Sequence, residues 1–311
     1  MKILVVGAGA IGGYFGGRLL HAGRDVTFLV RPRRAAALEQ HGLSIRSRFG
    51  DFHAPTPPLV TEERLAERFD LVLLSCKAYD LEGAMTSFAK AVGPETAILP
   101  TLNGMQHLDV LADRFEAQRV LGGQCVISAT LDVDGGVVHL NDLHSMTFGE
   151  LDGSRSPRIE AVASALTGAG FDARLSGEIR QDMWEKWLFI AAAAGITCLM
   201  RATIGDIVAA GAVDLAIRLF DECAAIAAAQ GFPPRQAWRE RAMAALTAAG
   251  SPLAASMLRD IEGGMPVEGD QILGDLLRRG AGADDRSLLR IAWLHAKAYE
   301  ARRERAVKEK A

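Results

Sequence analysis

A glycine-rich turn directly follows the first hydrophobic segment of this chain. Residues 3–7 (ILVVG) are apolar and mostly β-branched, which predicts a buried strand. A helical stretch then runs to about His21, and residues 26–30 predict a second strand. This order indicates a βαβ unit, in which two parallel strands are joined by a covering helix. The turn between the first strand and the helix consists of Gly7, Ala8, Gly9, Ala10, Ile11 and Gly12.

The spacing of the glycines in this turn favours a dinucleotide-binding site. Gly7 permits the tight bend, Gly9 lets the backbone approach a pyrophosphate, and Gly12 lets helix and strand pack closely. The N-terminus of the following helix then faces the phosphate charge. A glycine-rich turn without a ligand is the alternative, and the strand–turn–helix–strand context weighs against it.

The residues after the second strand favour NADP(H) over NAD(H). An NAD site usually has Asp or Glu about 20 residues past the glycines. This chain instead has Arg31, followed after a proline by Arg33 and Arg34. A guanidinium can bind a 2′-phosphate through two hydrogen bonds, whereas a carboxylate would repel it. We predict Arg31 as the phosphate ligand, with Arg33 or Arg34 in support. The alternative is that these arginines are solvated residues at the start of a helix.

The distribution of strand and helix signals predicts two domains. Before residue 150 the sequence predicts a hairpin over 43–54, a helix near 62–68, and further strands at 70–75, 96–100 and within 120–149. From about Glu178 alanine becomes frequent and helical periodicity dominates. The fold class is therefore α/β: a Rossmann-type dinucleotide-binding domain at 1–177 and a C-terminal all-α domain at 178–311.

Charge and composition exclude several function classes. The net charge of −3 gives no reason to expect nucleic-acid or membrane binding. No run of 18 or more apolar residues is free of charge, so we expect no membrane span. The four cysteines form no C-x-x-C pair and the seven histidines show no metal-ligand spacing. We therefore expect no disulfide framework, no metal, and a cytoplasmic location.

Motifs along nearly the whole chain resemble those of the ketopantoate reductase (2-dehydropantoate 2-reductase) family. Their order and spacing agree, which is more specific than any single motif. The resemblance implies an NADPH-binding Rossmann domain joined to a helical domain, with the active site in the cleft between them. It implies reduction of a 2-keto acid to a 2-hydroxy acid in pantothenate biosynthesis, and it leaves a homodimer open. The matching segments are GAGAIGG at 7–13, LVRPRR at 29–34, SCKAYD at 75–80, LNGM at 102–105, MWEKW at 183–187 and SMLRDIEGGMPVEGDQILG at 256–274.

The resemblance assigns roles to five polar residues. Lys186 matches the family's catalytic lysine, and Glu268 matches its acidic partner. Ser256 matches a serine that holds the substrate. Asn103 matches the asparagine of an Asn-Gly motif near cofactor and substrate, and Lys77 matches a lysine near the cofactor.

The chemistry of ketone reduction independently suits a lysine. Hydride addition builds negative charge on the carbonyl oxygen, and a positioned ammonium both stabilises that charge and supplies the proton. Lys186 lies in an otherwise apolar helical segment, where burial would lower its pKa toward neutral. The residues alone also allow a lysine that extends from an amphipathic helix into solvent.

Two positions depart from the family pattern. Ile190 and Ala194 stand four and eight residues after Lys186, where the family has asparagines that contact the substrate. On a helix these positions follow Lys186 along one face. We therefore predict an apolar substrate-binding wall and a preferred substrate other than ketopantoate.

Three functions are consistent with the sequence. The first is an NADPH-dependent 2-keto acid reductase, and the second is a non-catalytic NADP(H)-binding regulator. The third is a related two-domain dehydrogenase that acts on hydroxy acids or imines. Lys186, Glu268 and Ser256 weigh against the regulator, which needs no proton donor. The segment from Ser256 to Glu268 favours the first function over the third.

Overall fold

The computed structural model describes residues 1–280 and 286–309 and divides them into two compact units. The first unit comprises residues 1–102 and 107–180. The second comprises residues 103–106 and the described residues from Gln181 onward. The sequence predicts a single boundary at residue 177 and does not predict the separate assignment of residues 103–106 to the second unit. Asn103 therefore belongs to the second unit, together with Lys186.

A parallel sheet and a mixed sheet form the strands of the first unit. The parallel sheet has the order β5-β2-β1-β6-β7, and the mixed sheet has the order β10-β9-β3-β4 with β8 paired to β9. The parallel sheet with its covering helices confirms the predicted Rossmann-type fold. The strands are β1 Lys2–Val6, β2 Asp25–Leu29, β3 Leu43–Arg46, β4 Phe52–Ala54, β5 Leu59–Val60, β6 Leu71–Leu74, β7 Ala97–Pro100, β8 Gly122–Leu131, β9 Val137–Gly149 and β10 Asp172–Leu175. The helices up to residue 166 are α1 Ala10–His21, α2 Pro32–His41, α3 Leu81–Phe88, α4 Gln106–Phe115 and α5 Pro157–Leu166.

Helix α1 contacts both sheets of the first unit, and its glycines permit the close approach. A Cβ atom at Gly16 would lie 2.5 Å from the Phe28 ring in β2. A Cβ atom at Gly17 would lie 2.7 Å from Ile45 in β3. Larger side chains at these positions would push the helix away from one sheet or the other. The glycines therefore allow α1 to pack closely against both sheets.

The helix predicted near residues 62–68 is wrong. Only a 3₁₀ turn over Glu62–Arg64 forms there. The backbone N–H of Phe69 donates to the carbonyl of Ala91 at 3.0 Å, and that of Asp70 donates to Lys2 at 3.0 Å. These long-range bonds are made directly after the segment and lead the chain into β6.

The second unit is helical, as the sequence predicts, and α6 lies at its centre. A Cβ atom at Gly195 in α6 would lie 2.7 Å from Leu219 and 3.4 Å from Ala292. By length and composition α6 could cross a membrane, but 72% of its most apolar window is buried inside the protein. That burial is typical of a core helix. The helices from residue 179 onward are α6 Ile179–Met200, α7 Ile204–Ala209, α8 Val213–Ala229, α9 Gln236–Leu246, α10 Ser256–Glu262, α11 Asp275–Arg279 and α12 Leu288–Lys308, with a π-helical turn at Asp270–Gly274.

Candidate active site

The glycine turn after β1 has the shape of an anion-binding cradle. Gly7 has φ +92°, a backbone conformation that favours glycine. A Cβ atom at Gly12 would lie 2.1 Å from the Gly7 carbonyl oxygen, so the turn closes only because Gly12 lacks a side chain. Beside Gly9, no heavy atom of the described residues lies within 4 Å of the Cβ position. Gly9, the N-cap residue of α1, has no side chain to cap the first N–H groups of the helix. The turn therefore fits a pyrophosphate.

The three arginines after β2 have different environments. The Arg34 guanidinium donates to the carbonyls of Ala8 at 3.0 Å and Gly135 at 2.9 Å. Burial lowers the pKa of Arg34, and its bonds tie α2 to the glycine turn. Arg33 is exposed. The Arg31 side chain is 74% exposed and donates to the Asp80 carboxylate at 2.6 Å. Arg34 is thus occupied by backbone contacts, whereas Arg31 and Arg33 are accessible.

Lys77 lies after β6, the strand that pairs with β1 on the side opposite β2. Its side chain is exposed, and its carbonyl accepts the Asp80 N–H at 3.0 Å in a 3₁₀ turn. The neighbouring Ser75 hydroxyl donates to the Val6 carbonyl at 2.9 Å, which fixes the start of this loop to the end of β1. Lys77 and the glycine turn are therefore at neighbouring strand ends of one sheet.

Lys186 and Asn103 meet in the second unit. The Nζ atom of Lys186 donates to Oδ1 of Asn103 at 3.0 Å. Lys186 is half-buried on α6, and Asn103 lies in the turn that precedes α4. Gly104 has φ +82°, so the turn needs glycine directly after Asn103. The two residues are 83 positions apart in sequence, and the structure brings them into direct contact.

The π-helical turn holds Asn103 in place. Nε2 of Gln271, a residue only 6% exposed, donates to the Asn103 carbonyl at 2.9 Å. Nε1 of Trp187 donates to the Ile272 carbonyl at 2.9 Å, which joins the π turn to α6 beside Lys186. π-helical turns are rare and frequently occur at functional sites. Gln271 is not among the residues that the sequence predicts for the site, because it follows Glu268 and Asp270 in a polar stretch where nothing distinguishes it.

Glu268 and Ser256 lie at different distances along the chain from the π turn that holds Asn103. Glu268 is 8% exposed, and its carbonyl accepts the Ile272 N–H at 2.9 Å at the start of the π turn. Ser256 is exposed and is the first residue of α10. The N–H of the preceding Ala255 donates to Oγ1 of Thr197 on α6 at 3.4 Å. Ser256 is therefore near the C-terminal part of α6, whereas Glu268 is next to the turn that holds Asn103.

The face of α6 that carries Lys186 is apolar further along. Ile190, Ala193 and Thr197 lie within about 40° of Lys186 around the helix axis. Ile190 is half-buried, whereas Ala194 is only 1% exposed. Of the two positions that depart from the family pattern, only Ile190 therefore has substantial surface for a ligand to touch. Thr197 lies about 16 Å from Lys186 along the axis. Ala193 and Thr197 are buried, so the accessible part of this face lies at Ile190.

Buried charges hold the start of α6. The Glu185 carboxylate is buried and accepts from both the backbone N–H and Nε of Arg235, each at 2.9 Å. Arg235 also pairs with the buried carboxylate of Asp182. Hydrogen bonds to Glu185 are the main cause that raises the pKa of Arg235 above its ordinary value. The residue next to Lys186 is thus fixed by an ion pair, which limits the movement of Lys186.

Metal ligands do not cluster in the part of the chain that the structure describes. Among residues 1–280 and 286–309, no group of three or more His, Cys, Asp or Glu side chains could hold a metal ion.

Comparison with known proteins identifies the family. Residues 3–153 match Ketopantoate reductase PanE/ApbA, and residues 178–284 match its C-terminal counterpart. The chain is 39% identical over 280 residues to the uncharacterised oxidoreductase YkpB of Bacillus subtilis (strain 168), covering 90% of this chain and 92% of that protein.

Two crystal structures share the fold. The 2-dehydropantoate 2-reductase of Methylococcus capsulatus has a TM-score of 0.85 at 27% identity, covering 97% of this chain and 98% of that one. D-mandelate dehydrogenase with NADH and anilino(oxo)acetate has a TM-score of 0.85 at 22% identity, covering 98% and 100%, and at that identity shows the fold alone. The two family matches and the shared fold agree with the motifs and the two-unit architecture, and the chain belongs to the ketopantoate reductase family.

Proposed function

We propose that this protein is an NADPH-dependent reductase that converts a 2-keto acid to a 2-hydroxy acid. The hydrogen bond from Lys186 Nζ to Asn103 Oδ1 carries the proposal, because it positions a proton donor within an oxidoreductase family. Residues 1–177 would bind the cofactor, and residues 178–311 would supply the substrate-binding and proton-transfer residues. A cytoplasmic location and a homodimer stay predictions.

The glycine turn and Arg31 would hold the cofactor. The open space beside Gly9 and the uncapped start of α1 suit the pyrophosphate, and the accessible Arg31 suits a 2′-phosphate. We place Lys77 near the same cofactor because it follows the strand next to β1. When bound, the reduced nicotinamide supplies a hydride to the carbonyl carbon of the substrate. The chain's own residues must then stabilise the negative charge that develops on the carbonyl oxygen and protonate that oxygen.

Lys186 is our candidate for the proton donor. An ammonium carries three hydrogens, and Asn103 Oδ1 accepts one of them. In the proposed reaction Lys186 first donates a hydrogen bond to the substrate oxygen and then a proton. Asn103 thus limits the directions in which the ammonium can point, so that less ordering is required when substrate binds.

We propose that Glu268 and Ser256 complete the site. Glu268 would contribute a buried carboxyl group beside the π turn. The exposed Ser256 hydroxyl can hydrogen-bond a polar group of the substrate. Next to Lys186 the substrate would contact Ile190, with the buried Ala194 behind that wall.

The apolar wall points to a 2-keto acid with an apolar side chain. Neither Ile190 nor Ala194 offers a hydrogen-bond donor or acceptor from its side chain. A substrate hydroxyl held against this wall would lose water without replacement. Assignment to pantothenate biosynthesis requires ketopantoate, which carries a 4-hydroxyl, as the substrate. We therefore propose the reaction type without that pathway.

An NADPH-oxidation screen against a panel of 2-keto acids tests the proposed function. We expect turnover with at least one acid that has an apolar side chain, and none when Lys186 is replaced by alanine. Tight NADPH binding without turnover of any acid would instead support the non-catalytic regulator. NADPH oxidation with imines but with no 2-keto acid, in the same assay, would support the related dehydrogenases.

A further inference from the structure

The ion pair between Arg31 and Asp80 engages the arginine proposed to bind the 2′-phosphate. Arg31 precedes α2, and its NH2 group donates to Asp80 Oδ1 at 2.6 Å. Asp80 precedes α3 with a helical backbone, φ −99° and ψ −2°, and its carboxylate caps no N–H of that helix among the described residues. Arg31 is therefore the partner that the structure gives to this carboxylate.

The pair joins two strand ends on either side of the glycine turn. Arg31 follows β2 and Asp80 follows β6, and these two strands flank β1 in the parallel sheet. Arg34 ties the first turn of α2 to the Ala8 carbonyl at 3.0 Å. Arg31 and Asp80 are thus both held beside the turn that would bind the cofactor, and all of these residues belong to the first unit.

We propose that Asp80 is a specificity-determining residue that weakens the preference for NADP(H) by competing with the 2′-phosphate for Arg31. This inference rests on the proposed function of the glycine turn and Arg31. A 2′-phosphate that approaches Arg31 must share its guanidinium with a carboxylate or displace that carboxylate, and the two anions repel each other. A 2′-hydroxyl, which carries no charge, meets no such competition. The chain therefore combines a cation that favours NADP(H) with an acid that opposes it.

The alternative is that Asp80 orients Arg31 for phosphate binding. The exposure of the two side chains weighs against that role, since Arg31 is 74% exposed and Asp80 is 34% exposed. An ion pair in water orients long side chains only weakly. The carboxylate also binds one of the terminal nitrogens that a bidentate phosphate contact needs.

The experiment measures binding of 2′,5′-ADP and 5′-AMP, which differ by the 2′-phosphate, to the full chain by calorimetry. We expect Asp80→Asn to increase the affinity for 2′,5′-ADP about 3- to 10-fold. The affinity for 5′-AMP should change by less than about 2-fold. In an Arg31→Ala background most of this gain should disappear, because the competition requires the arginine. In fluorescence titrations, Asp80→Asn should likewise bind NADPH more tightly and leave NADH binding nearly unchanged. The matched control is Glu160→Gln, which removes the exposed Arg155–Glu160 pair of the same 2.6 Å length in the first unit and should change neither affinity.

An unchanged or weaker affinity of Asp80→Asn for 2′,5′-ADP would overturn the inference and support the orienting role. A gain that persists in full without Arg31 would overturn it too, because Asp80 would then act on the phosphate alone. If no variant binds 2′,5′-ADP or NADPH, the proposed cofactor itself is wrong. If the binding shift is found but no keto acid is reduced, only the proposed reaction fails.

Discussion

Nζ of Lys186 donates a hydrogen bond to Oδ1 of Asn103 at 3.0 Å. This contact joins the central helix of the second unit to a turn of four residues that the fold takes from the middle of the first unit's sequence. Because Gln271 binds the carbonyl of the same asparagine, the lysine, the turn and the π-helical segment form one connected set of hydrogen bonds. The following predictions test its parts.

Replacing Lys186 by alanine should lower the turnover number at least about 100-fold, as loss of a general acid does. Cofactor affinity should stay within about 2-fold, because the proposed cofactor contacts other than Asn103 lie in the first unit. Stopped-flow measurement of NADPH oxidation on the best keto acid gives the rate, and fluorescence titration gives the affinity. The control is Lys297→Ala, since Lys297 pairs with Asp270 at 2.7 Å on the same unit but has no proposed catalytic role. Near-normal turnover of Lys186→Ala would show that another group supplies the proton.

Replacing Gln271 by alanine should lower turnover about 10-fold, with a smaller change in KM. The Asn103 carbonyl would lose its partner, which costs about 1–3 kcal/mol, and the asparagine would hold Lys186 less firmly. Steady-state kinetics over a range of pH checks this, because a displaced lysine should also shift the pH profile. Gln230→Ala is the matched control, since Nε2 of Gln230 makes an equal 2.9 Å bond to the Arg279 carbonyl. If both variants lose stability equally and Gln271→Ala keeps its turnover number and pH profile, Gln271 is only structural.

Replacing Arg31 by alanine should weaken NADPH binding about 5- to 10-fold and leave NADH binding nearly unchanged. A charged hydrogen bond to phosphate contributes about 1.5–3 kcal/mol when partly buried. Arg31 is 74% exposed and also pairs with Asp80, so we expect the lost binding free energy to be about 1–1.4 kcal/mol. Dissociation constants at two salt concentrations check this, because screening should reduce the difference between the dinucleotides. Equal loss of affinity for NADH, or tighter binding of NADH than of NADPH by the unmodified protein, would contradict the role of Arg31.

Local sequence patterns predict the βαβ unit well, because glycine spacing and buried strands there depend on neighbours in the chain. The hairpin at 43–54 and the antiparallel strands within 120–149 are also confirmed, as β3–β4 and β8–β9. The helix predicted at 62–68 is replaced by a 3₁₀ turn, and directly after it the chain bonds to distant residues, Lys2 and Ala91, as it enters β6. Helices α3, α4 and α5 were not predicted.

The candidate site is predictable only in part, for a related reason. Lys186, Asn103 and Glu268 are identified through motifs, each short and local. Gln271 joins these site residues because a π-helical turn directs its side chain toward Asn103. The sequence patterns do not predict such a turn. Likewise Arg31 is evident from the residues after the second strand, but its pairing with Asp80 depends on the order of strands in the sheet.

The apolar wall on α6 predicts which substrate the protein prefers. We expect a higher kcat/KM for 3,3-dimethyl-2-oxobutanoate, the 4-deoxy analogue, than for ketopantoate. The 4-hydroxyl would be buried against Ile190 without a partner, at a cost of about 1–3 kcal/mol, or about 10- to 100-fold in specificity.

Ile190→Asn should reverse this preference, because the amide can bind the hydroxyl. Ala194→Asn is a poor test, since Ala194 is 1% exposed and a larger side chain would overpack the core. The control is Ile291→Asn on α12, an isoleucine 43% exposed, which should leave the ratio of specificity constants unchanged. Melting temperatures of both variants separate lost stability from changed specificity. A clear preference of the unmodified protein for ketopantoate would contradict the prediction, because water or other residues must then replace the missing amides and the pantothenate pathway becomes the better assignment.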